Sequence, residues 1–349
     1  MFDETALILA RARRVLAQHV LPAVHRDRRP LDVTAWRAPG EPVPFAQAAA
    51  APHEAVDPGT PWGEPWSTWW FELRGEVPRD FAGAVVEVVV DLGFTDSGPG
   101  FQAEGLLYDS KGLPLKGIHP QNRWYRISER ATGGEEVHLH LEAAGNPTLY
   151  DGTFRPTRLG DVATAGDEPA YRLGRADVAV FEPEVFALAM DLDVLLDLAE
   201  QLDEHDARRH EVLAAVDDAL DAIDVHVVSG AAGPAREALA KALAAQANQS
   251  AHRITAVGHA HIDSAWLWPV RETVRKCART FASATALAED YPELVFACSS
   301  AQQYQWVRDT QPHVWQRIRK AVAAGTWEPV GGQWVEADGV MPGGESLVR

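Results

Sequence analysis

Cysteine is nearly missing from this chain of 349 residues, in which Cys277 and Cys298 are the only two. Without further cysteines at metal-type spacing, a disulfide framework and a thiolate zinc site are both excluded, and a reducing cytoplasm is the expected compartment. Long apolar runs are missing as well. No stretch approaches the roughly 18 consecutive apolar residues that a membrane helix needs. The opening MFDETALILARARRVLAQHVLPAV is not a signal peptide, because acidic residues come first and Arg11, Arg13 and Arg14 interrupt its apolar positions. It reads as an amphipathic helix ending before Pro22. Positive charge is scarce: 32 Lys and Arg face 50 Asp and Glu, a formal charge of −18. Such a surface repels phosphate backbones and anionic lipids, which excludes nucleic acid and membrane as partners and favours a neutral ligand.

What is present is ordinary for a soluble protein of two or three domains, with 46% hydrophobic and 23% charged residues. Twelve tryptophans supply large core side chains and, where exposed, apolar faces of the kind sugars stack on. Residues 1–65 are expected to be an N-terminal helix followed by a Pro- and Ala-rich linker or irregular arm without sustained periodicity. From 66 to 182, short runs such as WSTWWFELRGEV, AVVEVVVDLGF and EVHLHLEAAG, separated by turn residues, predict a β-sandwich of jelly-roll type. Such a sandwich serves either as a carbohydrate-binding module or as a buttress for a neighbouring domain. After Pro183 apolar residues recur three and four apart, giving an α-helical connector over 183–250 whose third helix runs from about Pro234 to Ala247. The charged residues Asp203, Glu204, Asp206, Arg208 and Arg209 read as a solvated helix face or its loop.

From residue 251 the pattern alternates strand and helix, which predicts a parallel sheet. ITAVG at Ile254–Gly258 reads as a buried strand, LVFACSSA as a second and WEPVGGQWVE as a third. If the extended chain continues past Gly258, His259, His261 and Asp263 share one face, because strand side chains repeat every two residues. Two imidazoles and a carboxylate at a strand's C-terminal end make a donor set for a catalytic zinc or similar divalent ion. The alternative is that backbone groups satisfy these polar residues.

The run HAHIDSAWLWPVRET from His259 to Thr273 resembles the first active-site motif of the α-mannosidases of glycoside hydrolase family 38, in particular their bacterial and vacuolar branch. WEPVGGQWVEADGVMPGGESLVR from Trp327 to Arg349 resembles the nucleophile motif of that branch, and SSAQQYQW lies between them. The resemblance is specific over about the last hundred residues and loose over 60–250. It implies that residues 251–349 begin an α/β parallel-sheet, β/α barrel-like catalytic domain. It also implies that His261 and Asp263 bind zinc, with Co2+ as an alternative, and that Asp338 is both a zinc ligand and the nucleophile. Trp266 corresponds to the tryptophan a sugar ring packs on. His259 is expected to orient a ligand rather than bind the ion, and Glu336 to support Asp338 or to form a plain salt bridge.

The implied activity is retaining, metal-dependent hydrolysis of terminal α-D-mannosyl residues of oligosaccharides through a glycosyl ester on Asp338. A further zinc-binding histidine and the general acid of the family have no counterpart before Arg349, so the chain is expected to be an inactive N-terminal fragment of an active parent. Homo-oligomerisation stays open, with an exposed sheet edge as the associating surface. The rival classes are a metal-dependent amidohydrolase or deacetylase, which would use zinc to activate water, and a non-catalytic carbohydrate-binding fragment.

Overall fold

The computed structural model describes residues 4–95, 98, 100–149, 157–247, 251–336 and 343–345. The chain begins with α1 (Thr5–Val15), which continues through one π-helical turn at Leu16–Val20 into α2 (Leu21–Ala23). It then enters β1 (His25–Pro30), β2 (Asp32–Arg37), α3 (Phe45–Ala49), β3 (Glu54–Ala55) and β4 (Pro61–Trp62). Residues 25–65 are therefore not an irregular arm. Their charged letters mislead because β1 lies at the edge of its sheet, where HRDRRP keeps two of every three side chains in water.

The strands β5 (Thr68–Glu76), β6 (Val85–Asp91), β7 (Glu104–Asp109), β8 (Pro114–Ile118), β9 (Trp124–Ser128) and β10 (Glu136–Ala144) follow, with β11 (Tyr171–Arg172) and β12 (Arg175–Phe181) closing the domain. They form two antiparallel sheets, β1-β12-β6-β9 and β3-β2-β5-β10-β7-β8, with a two-stranded ribbon β11-β4 beside them. This is the jelly roll. The facing rows meet in one core that includes Phe71, Leu73, Val86, Val88, Leu107, Leu141 and Val178, each such side chain contributing about 1.5–3 kcal/mol on burial. Trp62 is fully buried among them, its indole donating to Leu92 O at 2.9 Å.

Three helices come next: α4 (Pro183–Gln201), α5 (Ala207–Ala222) and α6 (Val228–Leu243). Asp206 caps α5 by accepting from Arg208 N at 2.8 Å. Pro234 sits inside α6 and does not open it. The bundle takes α1 as its fourth member, through Ala12, Val15, Leu16 and Val20. On its outer side Arg11 reaches Asp217 and Asp221, and Arg13 reaches Asp193, Asp197 and Glu200.

The last part is a parallel sheet of β13 (Gly258–His259), β14 (Phe296–Cys298) and β15 (Trp327–Pro329), in that order. It alternates with α7 (Val270–Asp290), α8 (Ala301–Thr310) and α9 (Pro312–Ala324). Gly325, at φ 78°, ends α9 in the left-handed conformation that a glycine C-cap supplies. Two strand expectations need correcting. Only Gly258 and His259 pair, whereas Ile254 and Val257 are 85% and 48% exposed, because no described element lies against that apolar run. The third strand stops at Pro329, since the chain beyond it turns to give the carbonyls of Gln333 and Trp334 to the amides of Ala301 and Gln302. Those are amides of the first turn of α8, which have no partner inside the helix.

Helix α7 joins this sheet to the sandwich. Gly117 in β8 lets its backbone approach closely: a Cβ there would stand 2.8 Å from both Arg279 O and Ser283 Oγ. The Gly117 amide instead donates to Ser283 Oγ at 3.0 Å.

Candidate active site

The motif residues lie just past β13. Beyond Gly258 the backbone stays extended enough for burial to alternate, with Ile262 turned inward at 8% exposure while His259 and His261 face outward. His261 Nε2 lies 3.3 Å from Asp263 Oδ1, and its Nδ1 lies 3.6 Å from Glu336 Oε2. A neutral imidazole carries one proton. If Nδ1 holds it toward Glu336, the lone pair of Nε2 faces a carboxylate oxygen, an arrangement that calls for a cation between them. Two donors bound at 2.0–2.1 Å to a tetrahedral ion stand about 3.4 Å apart, so His261 and Asp263 fit such an ion. Glu336, 3.6 Å from the other ring nitrogen, is beyond hydrogen-bond reach but stands on the side where a carboxylate favours the proton on Nδ1.

Several contacts hold this cluster in place. His259 donates from Nδ1 to Ala297 O on β14 at 2.8 Å, which leaves its Nε2 as an acceptor. Buried Gln303, on α8, donates to Ile262 O at 2.6 Å and so fixes the chain between His261 and Asp263. Ser299 donates to Glu336. Its neighbour Ser300 holds φ 66°, a conformation that costs a non-glycine residue about 1–3 kcal/mol. Asp338 lies outside the described residues.

His259 and His261 line a cavity of about 520 Å3 that Glu104, His119, Lys276 and Arg279 also border. Trp266, 43% exposed, lines a separate cavity of about 500 Å3 with Asp161 and Leu149. Trp268 borders both, so the two cavities meet across its indole, whose nitrogen donates to Thr273 Oγ1 at 2.9 Å. The structure thus gathers His261, Asp263 and Glu336, with His259 beside them, and sets Trp266 on the far side of Trp268.

Sequence reading missed the polar seam behind the motif. Glu272, Lys276 and Arg279 on α7 are all at most 5% exposed. Arg275 reaches Glu142 and Glu272, Lys276 reaches Glu104 at 2.5 Å, and Arg279 reaches both Glu104 and Glu272. Three cations meet three carboxylates, two of them from sandwich strands β7 and β10. Burial alone would raise the Glu104 carboxyl, but Lys276 and Arg279 outweigh it and hold that group at about 2. A spacing of Glu272, Lys276 and Arg279 at i, i+4 and i+7, which places them on one helix face, was the available signal. Nothing in the sequence said that this face meets another domain.

Both cysteines are free and buried. Burial pushes the Cys277 thiol up to about 12 and the Cys298 thiol up to about 11, so neither offers a thiolate nucleophile near neutral pH. No described helix is long and apolar enough to cross a membrane.

Comparison with known proteins finds similarity in two segments of the chain. Residues 251–349 match the family model described as Glycosyl hydrolases family 38 N-terminal domain, and residues 29–179 that described as Alpha-mannosidase, jelly roll domain. Human Alpha-mannosidase 2C1 is 34% identical over 317 residues, covering 88% of this chain. Alpha-mannosidase G of Dictyostelium discoideum is 28% identical over 315 residues, again 88% of this chain and 28% of that protein. Alpha-mannosidase of Saccharomyces cerevisiae is 26% identical over 302 residues, 83% of this chain and 27% of that protein. The chain spans about 29% of the length of the human relative.

Proposed function

We propose that this chain forms the jelly-roll domain and the first part of a β/α barrel-like catalytic domain of a cytoplasmic α-mannosidase of the bacterial and vacuolar branch of family 38. The activity is that of a protein carrying this chain together with a counterpart of the remaining length of its relatives. The substrate is a terminal α-D-mannosyl residue of an oligosaccharide. The observation that carries the reading is the approach of His261 to Asp263 at 3.3 Å just beyond β13, inside the segment that matches the family 38 domain.

In this reading His261, Asp263 and Asp338 hold a divalent ion of the zinc class, Co2+ included. When bound, that ion would supply electrophilic contacts to sugar hydroxyls and favour the ionised form of a neighbouring carboxylate. Glu336 keeps the His261 proton on Nδ1, and His259 steadies the strand end through Ala297. Trp266 packs against a sugar ring. Asp338 attacks the anomeric carbon, so a carboxylate–carbon bond forms as the glycosidic carbon–oxygen bond breaks. Water then cleaves the ester with overall retention. The departing oxygen takes its proton from a second carboxylic acid about 5–5.5 Å from the first, as retaining enzymes require; no residue of this chain is assigned that part.

The test is hydrolysis of an aryl α-mannoside by such a protein and by its Asp338→Asn variant. Turnover should fall by at least about 1,000-fold, as for loss of a nucleophile that shares its work with a preorganised site, while the circular dichroism spectrum is kept. A variant retaining a tenth of the activity would remove Asp338 from the mechanism, and amide cleavage without release of mannose would favour a deacetylase instead.

A further inference from the structure

The sandwich carries a second concentration of imidazole and carboxylate, on strands of the six-stranded sheet rather than beyond the end of β13. In EVHLHLEAA, the sequence of β10, strict alternation sends Leu139 and Leu141 into the jelly-roll core and sends His138 and His140 to the opposite face of the sheet. Register sets Glu72 of β5 directly opposite His140, with Thr34 of β2 beyond it. The helix α3 and the turn after it cover this face, bringing Phe45 edge-on against the His140 ring at 5.1 Å and placing His53 close enough to affect the ionisation of His140.

The geometry is close to that of a coordination shell. Glu72, His138 and His140 each offer one ligand atom, and these atoms all lie within 4.8 Å of one another. His138 Nε2 is 2.9 Å from Glu72 Oε1, and His140 Nε2 is 3.7 Å from the same oxygen. That second distance is too long for a hydrogen bond and close to the edge of a tetrahedron around zinc, about 3.4 Å.

The hydrogen bonding of His140 is incomplete, and an ion on Nε2 would give that atom the partner it lacks. His140 is 3% exposed, yet its Nδ1 has no partner and its Nε2 has only the long approach to Glu72. His53 Nε2 is also buried without a partner, while its Nδ1 pairs with Ala51 O at 3.1 Å. Buried polar atoms are nearly always satisfied, and a bound ion is one of the ordinary reasons for an exception.

We propose that Glu72, His138 and His140 form a structural binding site for a divalent transition metal of the zinc class on the outer face of the six-stranded sheet, separate from the His261–Asp263 site. Two imidazoles and one carboxylate is a ligand set that zinc, cobalt and nickel accept, whereas magnesium and calcium prefer oxygen donors. The partly exposed side of His138 and Glu72 leaves a position for water. Three groups already bond Glu72: His138 Nε2 lies 2.9 Å from Oε1, Arg74 donates to Oε1 at 2.7 Å, and Thr34 donates to Oε2 at 3.3 Å. The Arg74 side chain is 53% exposed and so is free to swing outward as the ion enters. By joining β5 to β10 across the centre of the sheet, the ion would tie together the strands beneath α3.

The test uses the 349-residue chain in a background where the motif donors are removed, His261→Ala with Asp263→Ala. After dialysis against micromolar zinc, elemental analysis should find one equivalent retained. Cobalt should give a visible spectrum of low-symmetry, four-coordinate type, and zinc should raise the melting temperature. Adding His138→Asn, at a partly exposed position, should weaken binding by on the order of 100-fold and abolish all three signals. Circular dichroism of the metal-free form should stay unchanged. Glu72→Gln should act in the same direction. Absence of retained metal in the motif-deleted protein overturns the proposal, and so does binding that His138→Asn leaves intact.

Discussion

Asn146, just past the end of β10, donates from its amide nitrogen to Glu272 Oε1 at 2.7 Å, although 126 residues separate them in sequence. Glu272 sits in the first turn of α7, where a carboxylate also meets the positive end of the helix dipole. The helix that begins directly after HAHIDSAWLWP is thereby fixed by the sandwich. The jelly roll in this chain is a positioning element for the candidate site, whatever else it binds.

Removing one member of that seam should cost much more than removing a surface ion pair. Glu272→Gln or Glu104→Gln leaves a buried guanidinium or ammonium without its counter-charge, a loss of about 3–5 kcal/mol. Equilibrium urea unfolding of the chain is the measurement. A change under about 1 kcal/mol would mean that the seam is solvated in solution.

Acid should act through the same contacts. Glu104 is held at about 2 in the folded chain against an ordinary 4.5, so the folded state binds its proton less readily than the unfolded state. Its contribution is fully present above about pH 4.5 and is lost progressively as the pH falls toward 2. Melting temperature recorded from pH 6 to pH 3 should therefore drop, and Glu104→Gln should show a shallower drop from a lower starting value.

At the motif, His261→Ala and Asp263→Ala should each abolish zinc binding to that site, while Glu336→Gln should weaken it by about 10- to 100-fold by freeing the tautomer. Chelator competition in a Glu72→Gln background reads the motif alone. Equal affinity for the Glu336→Gln variant and its parent would reduce Glu336 to a neighbour of Ser299.

Trp266→Ala is the test of sugar stacking. Trp266 is 43% exposed at the mouth of a cavity, so its removal should change the melting temperature little. In the activity-bearing protein it should raise KM for a mannoside about tenfold, the equivalent of one lost aromatic contact of about 1.4 kcal/mol. Equal loss of stability and binding would make it a packing residue.

Much of this architecture is written in local pattern. Alternation over Trp69–Leu73 and Val137–Leu141 marks strands whose inner rows meet in the core, and His261 and Asp263, spaced by two, lie 3.3 Å apart. The pattern fails where a segment's partner is remote. The charged letters of β1 conceal a strand because one side of it is in water, and the apolar letters of Ile254–Val257 suggest burial that no described element provides. The charges of α7 look like a solvated face until Glu104 and Glu142 meet them. His138 and His140 read as ordinary strand positions because only the register of β5 brings Glu72 opposite them.

The way the chain returns on itself also sets an order of assembly. Helix α1 is made first, yet Arg11 finds Asp217 only 206 residues later, and β1 cannot pair until β12 has been made. At translation rates of about 5–20 residues per second, Val15, Leu16 and Val20 stay without their bundle for roughly 10–40 s. During that interval the N-terminal helix is a sticky apolar segment on the nascent chain. The segment a cell would have to shield first thus belongs to the helical bundle and not to the β13 motif.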